Sequence, residues 1–169
     1  MEDLIFLLTA SLVLYKSPKK FRRLQIGDTG CSVHFFSIPV EFDFTETNEG
    51  DKMYFTEYED KNIGYGILCA QLNESLTLEE AQHVMTNYLD RLHKPFNALY
   101  NTGIDYCKTW RQAENCVKLV DYWQDENGFD WKIKGYTDGK TIAVLYVKNI
   151  NETPVEKQDL FLDSFSFYS

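Results

Sequence analysis

Residues 116–147, CVKLVDYWQDENGFDWKIKGYTDGKTIAVLYV, decide the fold of this protein. The segment holds two turn signals, Asn127-Gly128 and Asp138-Gly139, between stretches in which apolar residues recur at every second position. Asn-Gly and Asp-Gly accept the positive φ angles of tight hairpin turns, and a period of two is typical of strands. We therefore predict three antiparallel strands joined in chain order, a β-meander.

A second hairpin is predicted upstream of the meander, from Met53–Tyr58 and Ile63–Leu72, with its turn at Glu59–Asn62. Its second strand is apolar on both faces, which is typical of a central strand covered by another layer. Residues 27–30 (GDTG) predict a turn. The strand region that follows is expected to bend at Pro39 or to lie at an edge, because proline removes a ladder hydrogen bond.

Two helices are indicated by their start signals. Thr77 and Glu80 have the spacing of a capping box, and an apolar stripe at helical spacing follows from Leu78 to Leu92. The last helix is predicted to begin at Thr153-Pro154-Val155-Glu156, with a cap, a proline at the first helical position and a glutamate that completes the box. The residues of this helix expected to face the sheet are Val155, Leu160, Phe161 and Phe165.

These elements predict an α+β fold, in which an antiparallel sheet with the meander in its C-terminal half lies between two main helices as an α/β/α sandwich. A length of 169 residues fits one domain, 1–169, that buries enough surface to fold without staples. No repeat and no Pro/Gly/Ser-rich linker divides the chain. A single domain is therefore the simplest organisation.

The four cysteines, Cys31, Cys69, Cys107 and Cys116, form no CxxC motif, which argues against a zinc ribbon or a thioredoxin-type site. Cys69 stands in an apolar run and is predicted to be a buried thiol. For Cys107 and Cys116 two alternatives stay open: a disulfide across a short loop, or two free thiols.

The charge of the chain is unevenly distributed. The formal net charge is −9, whereas residues 1–23 hold five cations and two acids, a net of +3, so the remainder carries −12. An acidic body repels phosphates, and we expect no nucleic acid partner. It would accept a protein with a basic surface, although acidic surfaces also serve solubility alone.

The apolar run Leu4–Tyr15 is about half the ~20 residues that a spanning helix needs. Glu2 and Asp3 precede it and Lys16 follows, unlike the flanks of a signal peptide. We predict that it packs onto the domain and that the protein is cytoplasmic. The alternative is that residues 1–15 are a signal or anchor of a cell-envelope protein, or that residues 4–23 touch a membrane.

The sequence predicts no catalytic residue, no metal site and no cofactor. His34 follows Cys31 by three positions, but no second pair completes four metal ligands. His83 and His93 lie on or after the first helix and have no local catalytic signature. No GxGxxG, P-loop or GxSxG motif occurs.

Acidic residues cluster at Glu41–Asp51 and at Asp121–Asp130, and neither cluster matches the calcium-loop pattern. Our candidate partner-binding residues come from these clusters: Glu46, Glu49, Asp51, Asp125 and Glu126. Several aromatic residues lie near the meander turns, and they are expected to be core more often than groove: Trp110, Tyr122, Trp123, Trp131 and Tyr136.

The order of elements over residues 33–167 resembles the PsbP-like superfamily, which includes bacterial DcrB-like proteins. In that family a central antiparallel sheet lies between helices, and a late helix runs into a Ser-Phe pair, as at Ser164-Phe165 here. The resemblance implies an adaptor, assembly or cell-envelope role without catalysis, and it carries over no site residue.

We therefore expect a non-enzymatic binding or adaptor module of a bacterium that acts on another protein through its acidic surface. Two alternatives stay open: an immunity protein that neutralises a toxin, and a small enzyme with a pocket of dispersed residues. An enzyme would show a deep pocket of convergent polar groups, and an adaptor a flat or grooved aromatic and acidic surface.

Overall fold

The computed structural model describes residues 21–36, 40–101 and 115–168. The described strands are β1 (Phe21–Gln25), β2 (Ser32–Phe36), β3 (Asp43–Glu46), β4 (Lys52–Asp60), β5 (Ile63–Gln71), β6 (Ala98–Asn101), β7 (Val117–Asp125), β8 (Asp130–Thr137) and β9 (Thr141–Lys148). The described α-helices are α1 (Leu78–Leu92) and α2 (Val155–Leu162), and a 3-10 turn at Ile150–Glu152 precedes α2. Over these residues the protein has an α+β fold.

Seven of the described strands form one antiparallel sheet in the order β3-β4-β5-β9-β8-β7-β6, and β1 pairs with β2 in a separate hairpin. The predicted meander is confirmed, because β7, β8 and β9 pair antiparallel in chain order. Its turns contain Gly128 and Gly139, both at positive φ.

The upstream hairpin is also confirmed, and its position explains its composition. β4 pairs with β5, and the turn between them has Lys61 and Asn62 at positive φ. β5 then pairs with β9, so it joins the upstream hairpin to the meander from inside the sheet. Both of its faces are buried, which explains why it is apolar on both faces.

The sheet has a core on each face. On one face, Met85, Leu89 and Leu92 of α1 pack over apolar residues of β7, β8 and β9. On the other face, Phe161 and Leu162 of α2, together with the β1–β2 hairpin, pack over β5 and β9. Because each face has its own helical cover, the two clusters form the layered core that was predicted.

Helix α1 begins at the predicted box. The Thr77 hydroxyl accepts a hydrogen bond from the Glu80 N–H at 3.3 Å, and a Glu80 carboxylate oxygen accepts from the Thr77 N–H at 2.9 Å. The helix ends at Leu92, before Pro95. Two N–H groups of the first turn are thereby satisfied by side chains.

We expect Thr77→Ala to lower the free energy of unfolding by about 1 kcal/mol, because it removes this cap. Thr86→Ala in the same helix is the matched control, since its hydroxyl only donates back to the Gln82 carbonyl oxygen. Urea unfolding of both variants measures the difference. An unchanged midpoint for Thr77→Ala would show that the box contributes nothing to stability.

The start of α2 differs from the prediction. Pro154 is the N-cap residue, no side-chain cap bond forms, and Thr153 instead ends the preceding 3-10 turn. The Thr153 hydroxyl donates to the Asn149 carbonyl oxygen at 3.3 Å, because the 3-10 turn brings that carbonyl beside it. Among the residues expected to face the sheet, Phe161 is buried, whereas Val155 and Leu160 are exposed.

Two described strands, β1 and β6, have no counterpart in the sequence prediction. β1 is only partly buried, with two exposed arginines, and β6 is four residues long, so neither shows a clear alternating pattern. Both segments are strands because of their pairing, β1 with β2 and β6 with β7. The predictions for residues 1–15, Pro39, Cys107 and Trp110 lie outside the described residues.

Candidate binding site

A cavity of about 200 Å³ lies at the end of the sheet where β4, β7 and β9 end, beside the C-terminal end of α1. Its aromatic part comes from Phe96, Trp131 and Tyr146, and its charged part from β4 and β9. The residues that line it are Glu57, Glu59, Gly64, Pro95, Phe96, Asn97, Asp125, Asn127, Trp131, Tyr146 and Lys148. Acidic, aromatic and amide groups thus surround one small space.

In the aromatic wall, each of the three rings contacts the other two. The centroid of Phe96 lies 5.1 Å from that of Trp131 and 5.0 Å from that of Tyr146, both edge to face. The Trp131 and Tyr146 centroids are 5.4 Å apart. Such contacts hold large side chains in defined orientations, so the wall is fixed by the core behind it.

Glu57 stands at the opening of the cavity and accepts a hydrogen bond from the Tyr146 hydroxyl. Desolvation raises the pKa of Glu57, although the hydrogen bond from Tyr146 partly lowers it. Burial and the nearby carboxylate also raise the pKa of Tyr146 well above its ordinary value. Tyr146 therefore remains the donor and Glu57 the acceptor in this pair.

The space that the Tyr146 ring occupies is left by the neighbouring strand β5. Gly66 is paired with Tyr146 across β5 and β9, and a Cβ at residue 66 would overlap the tyrosine ring. Gly64 is similarly close to Lys148, since a Cβ there would lie 3.3 Å from the lysine Cβ. Two glycines on one face of β5 therefore allow the tyrosine and the lysine to lie flat against the sheet.

Lys148 is the cation of the cavity. Its ammonium lies 3.4 Å from a Glu59 carboxylate oxygen and 5.5 and 5.7 Å from the ring centroids of Phe129 and Trp131. An ammonium at these distances is attracted by the negative faces of the rings. The wall of the cavity therefore already holds one cation.

Asp125 is buried, with 4% of its surface exposed, and it organises the turn between β7 and β8. It accepts hydrogen bonds from the backbone N–H groups of Asn127 and Phe129 at 2.9 and 3.0 Å, and from Trp131 Nε1 at 3.0 Å. Our expectation of an exposed partner-binding residue does not fit this environment, because the carboxylate is used inside the protein. It contributes negative charge to the cavity wall instead.

Glu126, the next residue, is exposed at the rim of the cavity. Its carboxylate accepts from Asn97 Nδ2 at 2.8 Å, and its N–H donates to the Asn97 carbonyl oxygen at 3.1 Å. The rim thereby connects the β7–β8 turn to the segment after α1. Glu126 is the one sequence-predicted acid that is both exposed and next to the cavity.

The other sequence-predicted acids lie at the opposite end of β4. Glu46 is paired with Lys52 in the β3–β4 register, and Asp51 accepts from the Asn73 N–H at 2.8 Å. Glu49 is exposed in the turn between the two strands. Because strands rise about 3.3 Å per residue, this cluster is on the order of 20 Å from the cavity. The structure therefore separates the two acidic clusters that the sequence suggested.

A second buried carboxylate, that of Asp121, lies near the C-terminal end of α1. Asp121 accepts from Trp123 Nε1 at 2.6 Å and lies 3.9 Å from His93 Nε2. Desolvation raises the pKa of Asp121, against the lowering effect of the Trp123 hydrogen bond. His93 packs edge to face on Trp123, with centroids 4.7 Å apart. His93 therefore lies at the end of α1 with its side chain partly buried against Trp123.

Four residues of the site were not predicted from the sequence: Glu57, Glu59, Tyr146 and Lys148. Glu57 and Glu59 share one face of β4 through strand alternation, but their meeting with β9 depends on the pairing of β4, β5 and β9. Trp123, Trp131 and Tyr136 are buried, which confirms the core interpretation of those aromatic residues. Tyr122 is exposed, so the core interpretation is wrong for this residue.

Within the described ranges, no group of three or more His, Cys, Asp or Glu side chains could hold a metal ion. None of the helices in the described part of the chain is long and apolar enough to cross a membrane. Comparison with known proteins gives no matching family model and no similar curated protein. The resemblance to the PsbP-like superfamily therefore stays a prediction.

Proposed function

We propose that this protein is a non-enzymatic binding module that recognises a basic segment of another protein, and that the cavity beside α1 receives a lysine or arginine side chain of that partner. The observation that carries the proposal is the charge of the cavity. Three carboxylates and one ammonium line it, those of Glu57, Glu59, Asp125 and Lys148. A cationic side chain would reduce this excess of negative charge.

The size of the cavity supports a side chain as its occupant. At about 200 Å³ it is smaller than the roughly 300–1,000 Å³ of typical small-molecule sites. Its wall of Phe96, Trp131 and Tyr146 would contact the aliphatic part of a long side chain. The carboxylates at the opening would then bind its charged end.

Glu57 is the residue best placed to bind the incoming cation. Glu59 is already paired with Lys148, and Asp125 is used by the turn and by Trp131. Glu57 is exposed and accepts a hydrogen bond from the Tyr146 hydroxyl, which leaves its carboxylate with further capacity to accept. Since desolvation raises its pKa, an approaching ammonium or guanidinium would favour its charged form and gain a charge-assisted hydrogen bond.

The outer rim extends the acidic surface beyond the single side chain. Exposed Glu126 lies beside the cavity in the β7–β8 turn, next to Asp125 and Asn127 of the lining. A basic segment with several lysines or arginines would therefore meet a further carboxylate beside the cavity. Such complementarity raises the association rate more than it raises affinity.

The proposal is tested by selecting a displayed random peptide library against the full-length protein and measuring the selected peptides by fluorescence anisotropy. We expect lysine and arginine to be enriched, and association to slow markedly as salt rises to about 0.5 M, where the Debye length is roughly 4 Å. Glu57→Gln should weaken binding about tenfold, which corresponds to one lost charge-assisted hydrogen bond.

Glu46→Gln and Glu49→Gln are the matched controls, because they remove the same charge at the far end of β4. They should leave the affinity of the selected peptides within about twofold. If they weaken binding and Glu57→Gln does not, the binding face is the β3–β4 turn. If basic residues are not enriched at all, the proposed function is wrong.

A further inference from the structure

Glu57 and Tyr146 lie in one row across three strands and meet over a residue that has no side chain. Glu57 of β4 is paired with Gly66 of β5, which is paired with Tyr146 of β9. Because Gly66 has no Cβ, the Tyr146 hydroxyl reaches the Glu57 carboxylate and donates a hydrogen bond to its Oε2 atom. One of the two carboxylate oxygens therefore already has a donor from within the protein.

The direction of this hydroxyl is fixed by the packing of the tyrosine ring. Tyr146 has 1% of its surface exposed, and its ring centroid lies 5.0 Å from that of Phe96 and 5.4 Å from that of Trp131. The ring also lies against β5, since a Cβ at residue 66 would overlap it. If the Glu57 carboxylate turned away, a hydroxyl donor on a buried side chain would lose its acceptor, which is unfavourable. Glu57 is therefore held with Oε2 towards Tyr146.

We propose that Tyr146 makes the cavity selective for lysine over arginine, because it occupies a carboxylate oxygen that a guanidinium would need. This inference rests on the proposed function, since it concerns the same cavity and the same carboxylate. A guanidinium binds a carboxylate best through two parallel N–H···O bonds, one to each oxygen. An ammonium is a compact charge with three donors, and a single oxygen is enough to bind it. With Oε2 engaged, Glu57 presents Oε1 to the ligand, and this geometry suits the ammonium.

The neighbouring row of the sheet shows an ammonium bound in this way. Glu59 of β4 and Lys148 of β9 also meet across a glycine of β5, two residues away on each strand. The Lys148 ammonium lies 3.4 Å from Glu59 Oε1, and 5.5 and 5.7 Å from the ring centroids of Phe129 and Trp131. One carboxylate oxygen and the faces of aromatic rings thus already bind an ammonium in this cavity. An incoming lysine would repeat the arrangement in the adjacent row.

The experiment compares two fragments of equal charge, n-butylammonium for the lysine side chain and n-propylguanidinium for the arginine side chain. Each is titrated into nitrogen-15-labelled full-length protein at neutral pH and constant ionic strength. The dissociation constant is measured from the NMR shift of the Trp131 indole N–H, because this residue lines the cavity. We expect butylammonium to bind about tenfold more tightly, which corresponds to one charge-assisted hydrogen bond. Tyr146→Phe keeps the ring and frees Oε2, so it should strengthen propylguanidinium binding and reduce the ratio to about twofold.

Tyr136→Phe is the matched control, because Tyr136 is also buried and its hydroxyl donates to the Leu162 carbonyl oxygen on the other face of the sheet. It should leave the ratio of the two dissociation constants unchanged. The inference is overturned if propylguanidinium binds the unmodified protein as tightly as butylammonium, or if Tyr146→Phe does not reduce the ratio. In either case the proposed function still stands when Glu57→Gln weakens the binding of both fragments. If neither fragment binds, the preference for lysine and the proposed cation site are both wrong.

Discussion

Replacing Gly66 with alanine is expected to lower the free energy of unfolding by about 3 kcal/mol, the upper part of the usual range for overpacking a core. The added methyl group would overlap the ring of Tyr146, which is fully buried and held by Phe96 and Trp131. Because Phe96 and Trp131 hold the ring, the strands or the aromatic wall must shift, and a shift of the ring would change the cavity that it lines. Peptide binding should weaken as well, because Tyr146 would leave Glu57.

Gly128→Ala is the matched control for this substitution. Gly128 has φ +79°, but no atom lies within 4 Å of the position that its Cβ would occupy. The control should lower the free energy of unfolding by about 1 kcal/mol, because alanine disfavours this positive φ. Urea unfolding of the two variants compares a steric cost with a conformational one. If Gly66→Ala is as stable as Gly128→Ala, the contact between residue 66 and Tyr146 does not constrain the fold.

Asp125→Ala is expected to lower the free energy of unfolding by ~3 kcal/mol, because three donors lose their acceptor together. Two are backbone N–H groups of the β7–β8 turn, at Asn127 and Phe129, and the third is Trp131 Nε1 inside the core. The indole N–H belongs to a buried side chain and would lose the acceptor that the carboxylate provides. The turn itself should lose order, which hydrogen exchange at Asn127 and Phe129 would detect.

Glu126→Ala, one residue further on, is the control. Glu126 is exposed and its carboxylate accepts a hydrogen bond from the exposed Asn97 side chain, so its removal should change stability by no more than about 0.5 kcal/mol. Thermal and denaturant unfolding of the pair measure the difference between a buried and an exposed acid at the same turn. Equal stability of the two variants would contradict the structural role of Asp125.

The sequence could not distinguish these two neighbouring acids, and the reason is general. Asp125 and Glu126 follow a strand and precede Asn127-Gly128, so both have the local pattern of exposed turn residues. Burial of Asp125 depends on Trp131, which reaches it only when β7 and β8 pair in the observed register. The local sequence pattern indicates that a turn forms, but it does not indicate which side chain of the turn is buried.

For the site residues as well, one part follows from the sequence and another depends on the tertiary structure. Alternation along β4 places Glu57 and Glu59 on one face, and this much follows from the sequence. Their partners, Tyr146 and Lys148, are on β9, about 90 positions later in the chain, and β5 lies between the two strands. Only the strand order makes them neighbours.

By itself the sequence determined the elements whose signals are local. The meander follows from Asn127-Gly128 and Asp138-Gly139, because these turns demand positive φ, and the start of α1 follows from the Thr77–Glu80 box. The tertiary structure alone decided the existence of β1 and β6, the start of α2, and the cavity. These features depend on contacts between segments far apart in the chain, whose energies appear only when the sheet is assembled.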